Sequence, residues 1–293
     1  MNYRIQKRII LVTFLTPPLL FLTVFTLYPA VLLVVQSFTN WNGYSPNMEF
    51  IGFANYKRVF TDGELFAALS HNAAYVLGGI VQNIIALFFA VVLNSQLKGR
   101  NAFRVLLFLP YIINGVATAY MFTFVFDTNN GAVNLILSNL GIIEQPISWL
   151  GNKSLVNFTL VSIAVWKYMG FNMVIYLGAL QSIPGDLYEA ARIDGANAFQ
   201  QFRYITLPSI LFVVELMLFL TISGGLEAFD LPFVLTNGGP NGASETFLTQ
   251  TVATAFRFNN FGLASAKAVV LLLIVALIVP LQRLIVYRGD RKA

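Results

Sequence analysis

Long apolar runs separated by short polar stretches divide the chain into segments. Six runs stand out, at 9–36, 67–93, 105–126, 155–182, 206–229 and 263–286. Each is long enough to cross a hydrocarbon core as a helix, which takes about 20 predominantly apolar residues. The first three contain no Asp, Glu, Lys or Arg. Inside lipid a backbone amide must find its partner within its own segment, so runs of this length are helices rather than strands. The expected fold class is all-α and polytopic, with six transmembrane helices in a single membrane domain over 1–293. The first run follows Arg4, Lys7 and Arg8 and is too long for the 7–15-residue core of a signal peptide. It is read as a retained span, bent by Pro17, Pro18 and Pro29.

Composition agrees with that pattern. Hydrophobic residues make up 57% of the chain and charged residues 11%, against about 25% charged in soluble domains. The net charge of +5 does not point to nucleic acid, because the basic residues flank the apolar runs and so report membrane orientation. The N-terminus, the connection between the second and third runs, the connection between the fourth and fifth, and the tail hold twelve Lys and Arg. The opposite side holds four: Lys57, Arg58, Lys153 and Arg257. Lys and Arg stay cytoplasmic, so both termini are placed there. There is no cysteine and one histidine, His71, which excludes disulfides and thiolate metal sites and leaves no metal cluster to propose. No paired intramembrane carboxylates and no nucleophile–base pair stand out, so an enzyme is not expected.

The outer connections, 37–66, 127–154 and 230–262, mix Trp41, Trp149, Phe and Tyr with Asn and Gly. Aromatic residues belong at the water–lipid boundary, and short surface helices or a docking surface for an outside partner are both compatible with this. The cytoplasmic connection between the fourth and fifth runs is more distinctive. It reads IPGDLYEAARIDGANAFQQFRYITLP from Ile183 to Pro208. Pro184 and Gly185 stop the preceding helix, and Asp186 is placed to cap a short helix from Leu187 to about Ile193. Gly195 breaks it, and a second helix from about Ala198 to Tyr204 leads to Pro208 at the start of the fifth span. Small residues Ala190, Ala191, Gly195 and Ala196 at the bend allow another backbone to come close.

The spacing Glu189-Ala190-Ala191, three residues, Gly195, nine residues, Ile205-Thr206-Leu207-Pro208 resembles the EAA loop of ABC importer permeases, at every fixed position. The flanking YEAARIDGA, the later Leu235 to Pro240 stretch (LTNGGP), WNG at Trp41 to Gly43 and FIGFANY at Phe50 to Tyr56 are similar to the larger permease of maltose-type carbohydrate importers. That resemblance implies a type I importer permease in a bacterial or archaeal cytoplasmic membrane, surrounded by lipid and translocating a sugar or oligosaccharide. It also implies a second homologous permease, two ATP-binding cassette subunits and an extracytoplasmic solute-binding protein. Glu189, Ala190, Ala191, Asp194, Gly195, Ile205, Leu207 and Pro208 would then form the ATPase-coupling loop. The chain has no G-x-x-x-x-G-K-[ST] phosphate loop, so ATP and Mg would be held by the partner subunits, and no cofactor by this chain. A permease for phosphate, an amino acid or a polyamine is the alternative. A carrier that works alone is a further one, against which the EAA loop argues.

Ionisable residues inside spans cost roughly 2.5–3.5 kcal/mol on insertion scales, which draws attention to Lys167. Its neighbours Trp166, Tyr168, Phe171 and Asn172 offer aromatic faces and hydrogen-bonding groups suited to a sugar, and Tyr168 and Phe171 fall where the family has solute contacts. The competing reading has Trp166 and Tyr168 anchoring helix packing while Lys167 reaches outward. In the fifth run, Thr221, Gly224, Gly225 and Glu227 are further candidates for the solute path. The Gly pair implies a local break or a close backbone approach, and it stands where the family has an aromatic and an amide, which implies a roomier cavity. Asn83, Asn114 and Thr118 are expected to make helix–helix hydrogen bonds. Glu215 and Lys267 are expected in pairing or lumen-facing roles, and His71 near the outer interface.

Overall fold

The computed structural model describes residues 3–287; the basic tail residues Arg288, Arg291 and Lys292, on which part of the orientation count rests, lie outside them. The described chain is helical and contains no strand, only an isolated bridge between Thr39 and Phe50. Among the described residues four helices are long and apolar enough to cross a membrane: Ile9–Ser37, Gly63–Asn94, Val156–Gln181 and Phe261–Gln282. Two bent pairs, Arg100–Ile112 with Gly115–Val125 and Ala198–Ser209 with Leu211–Leu226, bring the number to six if each pair is one span.

The breaks have local causes. In the first span the helix runs through Pro17 and Pro18. Its register changes ahead of Pro29, where a π turn covers Thr23–Leu27 and the Tyr28 N–H donates to the Thr23 carbonyl. Ahead of Pro208 the same thing happens: a π turn covers Phe202–Thr206 and the Leu207 N–H donates to the Phe202 carbonyl. A proline ring crowds the carbonyl four residues earlier, and widening the preceding turn by one residue relieves this. The third span, expected to be continuous, turns by 100° at Ile113 and Asn114. Asn114 caps the second half by accepting from the Val116 N–H at 2.9 Å, and Thr118 donates back to the Asn114 carbonyl. Both side chains therefore serve the break rather than bridging helices.

The chain groups into two units. In the first, Met1–Gly63 with Thr251–Leu273, the buried Asn55 amide donates to the carbonyls of Ser37 and Thr39 and so closes the C-terminus of the first span. Phe38, Phe50, Phe53 and Tyr56 form a ring cluster beside it. Lys267 is buried and paired, lying 3.1 Å from Thr254 Oγ1 and 3.9 Å from Asp62 Oδ2. None of the most apolar 18 residues of the first span is buried within this chain.

The second unit, Glu64–Gln250 with Ile274–Ala293, contains two apolar clusters at opposite ends of the same helices. One joins Ala86, Ala90 and Leu93 to Met173, Tyr176 and Leu180 and to Ile210 and Met217. The other joins Tyr75 to Val156, Leu160, Ile163, Ala119 and Leu231. The second and fourth spans thus run parallel, and the fifth antiparallel to both. Asn72 ties the second end together: its amide donates to the carbonyls of Gly225 and Leu226, and its Oδ1 accepts from the Phe247 N–H. Nearby, His71 Nδ1 lies 2.7 Å from the Glu245 carbonyl.

Candidate functional site

Between the two clusters the helices part around a cavity of about 540 Å³, within the range of small-ligand sites. The second span contributes Tyr75 and Gln82, and the fourth Tyr168, Phe171 and Asn172. The fifth contributes Thr221 and Gly224, and the segment after it Glu227 and Asp230. Tyr111, one residue beyond Pro110 in the third span, completes an aromatic face: its ring stacks on Phe171 with centroids 4.6 Å apart and meets Tyr168 edge-on at 6.2 Å. Such a wall offers flat apolar faces with polar groups at the rim.

One side of the cavity rests on a polar network in which Asn83 is central. Its amide donates to Thr221 Oγ1 at 2.9 Å, while its Oδ1 accepts from Tyr176 at 2.7 Å and from the Asn172 amide at 3.1 Å. Three spans are tied at a single buried residue, and two of its partners, Asn172 and Thr221, also line the cavity. Asn83 thus makes the helix–helix bonds expected of it.

Seven of the nine solute-path candidates line the cavity: Tyr168, Phe171, Asn172, Thr221, Gly224, Gly225 and Glu227. Trp166 and Lys167 do not. Trp166 packs edge-on against Phe122 at 5.1 Å. Lys167 is buried and does not reach outward; its ammonium donates to the Ile113 carbonyl, left without a helical partner by the third-span break. The helix Leu211–Leu226 passes through the Gly pair unbroken, and the 71° bend falls at Ile210 instead. The two glycines differ in what they allow. A Cβ on Gly225 would lie 3.0 Å from the backbone nitrogen of Val76, so close helix approach requires glycine there; a Cβ on Gly224 would meet nothing. Only Gly224 enlarges the cavity.

The connection from Ile183 to Pro208 folds as two helices on a tight turn. The first is Gly185–Ile193, and its cap is Pro184, not Asp186, which lies inside the first turn. Pro184 holds an extended backbone that lets Gly185 enter the helix directly, so the carboxylate faces the helix dipole without capping. Gly195 has φ +80°, the left-handed region that glycine enters without penalty. The second helix begins with a reciprocal box: Asn197 accepts from the Gln200 N–H and Gln200 from the Asn197 N–H. It continues past Tyr204, through Pro208 to Ser209, so Pro208 closes the connection instead of opening the fifth span. Tyr188 and Thr206 hydroxyls 2.9 Å apart, and a bond from the Gln201 amide to the Ala196 carbonyl, clamp the two helices.

Glu189, Ala190, Asp194, Gly195 and Pro208 are exposed on this connection, while Ala191, Ile205 and Leu207 are half-buried. Sequence reasoning passed over its apolar face. Ile193 is 87% exposed, Phe199 75% and Tyr204 74%, a concentration of large apolar side chains on a polar loop.

Residues 82–291 match the family described as "Binding-protein-dependent transport system inner membrane component". A multiple sugar-binding transport system permease protein of Streptococcus mutans is 34% identical over 271 residues, covering 92% of each chain. An osmoprotective compounds uptake permease protein of Synechocystis is 36% identical over 272 residues, covering 89% of this chain and 93% of that one. Among solved structures, a chain of a bacterial ABC transporter involved in import of the acidic polysaccharide alginate superimposes with a TM-score of 0.84 at 23% identity, covering 97% of both chains.

Proposed function

The chain belongs to the family of binding-protein-dependent transport system inner membrane components, and on that premise we propose that it passes a sugar or oligosaccharide across the membrane as the permease subunit of an ATP-driven importer. It is a multi-pass membrane protein and a transport subunit rather than an ATPase. Relatives named for sugar uptake support the cargo, and the aromatic wall of Tyr111, Tyr168 and Phe171 suits a sugar ring.

The observation that carries the reading is one of continuity. Residues 156–226 form an unbroken path: the fourth span walls the cavity, Gly185–Ser209 projects as an exposed knob, and Leu211–Leu226 returns to the cavity. A push on the knob reaches both helices that hold Asn172 and Thr221. ATPase subunits, holding ATP and Mg, grip Ile193, Phe199 and Tyr204 around the Glu189–Ala191 turn. Their closure tilts the two spans, and rocking of helix bundles about a central site opens it to alternate sides. A second permease completes the pathway, a solute-binding protein delivers the cargo from outside, and both termini face the cytoplasm.

An uptake permease for osmoprotective compounds at 36% identity favours a second reading, in which the cargo is a small compatible solute. The test purifies the importer with its ATPase subunits and measures ATP hydrolysis as binding protein loaded with candidate cargoes is added. Stimulation by a saccharide-loaded receptor is expected. Stimulation only by a receptor loaded with a non-sugar solute would replace the first reading with the second.

A further inference from the structure

The cavity wall carries charge of one sign. Among its described lining residues are two carboxylates, Glu227 and Asp230, and no Lys, Arg or His. Both are exposed, and among the described residues neither has a hydrogen-bond or ion-pair partner. Lys167, in the fourth span, interacts electrostatically with Asp230. It is committed to the Ile113 carbonyl and does not line the cavity. Lys167 therefore puts no cation on the cavity wall beside Glu227.

The position of Glu227 is a second, independent observation. It is the C-cap of Leu211–Leu226, where the partial negative charge of the helix end disfavours an anion. A carboxylate held there against the dipole, in the same cavity as the aromatic faces, fits an acceptor for ligand hydroxyls. Accepting from O–H groups is what an ionised carboxylate does best, since it has no donor of its own.

Resting on the proposed function, we propose that Glu227 and Asp230 select the charge of the cargo: the cavity takes an uncharged saccharide and rejects uronates. The fold alone does not set this preference, since a chain with the same fold serves an importer of an acidic polysaccharide. A carboxylate on each sugar unit would face Glu227 with no lining cation from the described residues of this chain to receive it, and juxtaposed like charges suppress binding.

The test uses the assembled importer in nanodiscs without its solute-binding protein, so that the receptor's own preference does not enter. Equilibrium binding is measured for a panel of neutral tetrasaccharides of glucose, galactose and mannose and for uronate tetrasaccharides of the same linkages. At least one neutral member is expected to bind, with its uronate counterpart about tenfold weaker or more. That gap should shrink between 0.05 and 0.5 M salt, as ions screen the exposed carboxylates. The double variant Glu227→Gln with Asp230→Asn should close most of it. A uronate bound as tightly as its neutral partner, or a gap that the double variant leaves intact, overturns the charge selection while the saccharide reading stands. If no saccharide of either kind binds, the reading of the cavity as a sugar site falls, and this inference with it.

Discussion

Replacing Asn83 with Leu should loosen the three-helix contact at the edge of the cavity by an amount the geometry allows to be worked out. Asn83 is buried and makes three bonds to other spans: to Thr221, from Tyr176 and from Asn172. Interhelical hydrogen bonds in membranes average about 0.6 kcal/mol, with a maximum near 1.7. Three lost together come to about 2 kcal/mol. Tyr176→Phe removes one of the three and should cost about 0.6 kcal/mol. In the Asn83→Leu background the same change should cost almost nothing, because the hydroxyl has already lost its acceptor. Unfolding in mixed micelles, titrated with a denaturing detergent, reads all four corners of the cycle. The reasoning is refuted if Asn83→Leu is as stable as the parent, or if Tyr176→Phe costs the same in both backgrounds.

Changing Gly195 to Val places a β-branched residue at φ +80°; the left-handed conformation costs about 1–2 kcal/mol, so stability should fall by no more than that while cargo-stimulated ATPase activity falls several-fold. Glu189→Lys, on an exposed helix face, should shift stability by no more than about 0.5 kcal/mol yet reduce the ATPase that co-purifies. Tyr168→Ala should raise KM for uptake with little change in stability, since Tyr168 lines the cavity. Trp166→Ala, losing its edge-on pair with Phe122, should instead cost about 1 kcal/mol of stability and leave KM unchanged.

Apolar run length made the spans legible, because the bilayer imposes a length that soluble folds do not. The connection from Ile183 to Pro208 could also be read, since Pro184, Gly195 and Pro208 act locally on the backbone. What could not be read depends on residues far apart in the chain. Ile113 needs an outside donor for its carbonyl only because the third span breaks there, and nothing near Lys167 in sequence announces that it will supply one. Tyr111 joins the cavity from a different span, and neither its neighbours nor its spacing mark it. Gly224 and Gly225 look alike as a pair; only the packing of Val76 against one of them separates a roomy position from a tight one. Asp186 was a reasonable cap by composition, and Pro184 displaced it by fixing the entry conformation two residues earlier.

The account turns on force passing from a nucleotide-driven partner through Gly185–Ser209 to the helices around the cavity. Uptake of labelled cargo into proteoliposomes tests this most directly, comparing vesicles of the assembled importer with ATP enclosed, the same vesicles without nucleotide, and vesicles of the membrane subunits alone. Accumulation is expected only in the first. Equal accumulation by the membrane subunits alone would contradict the account.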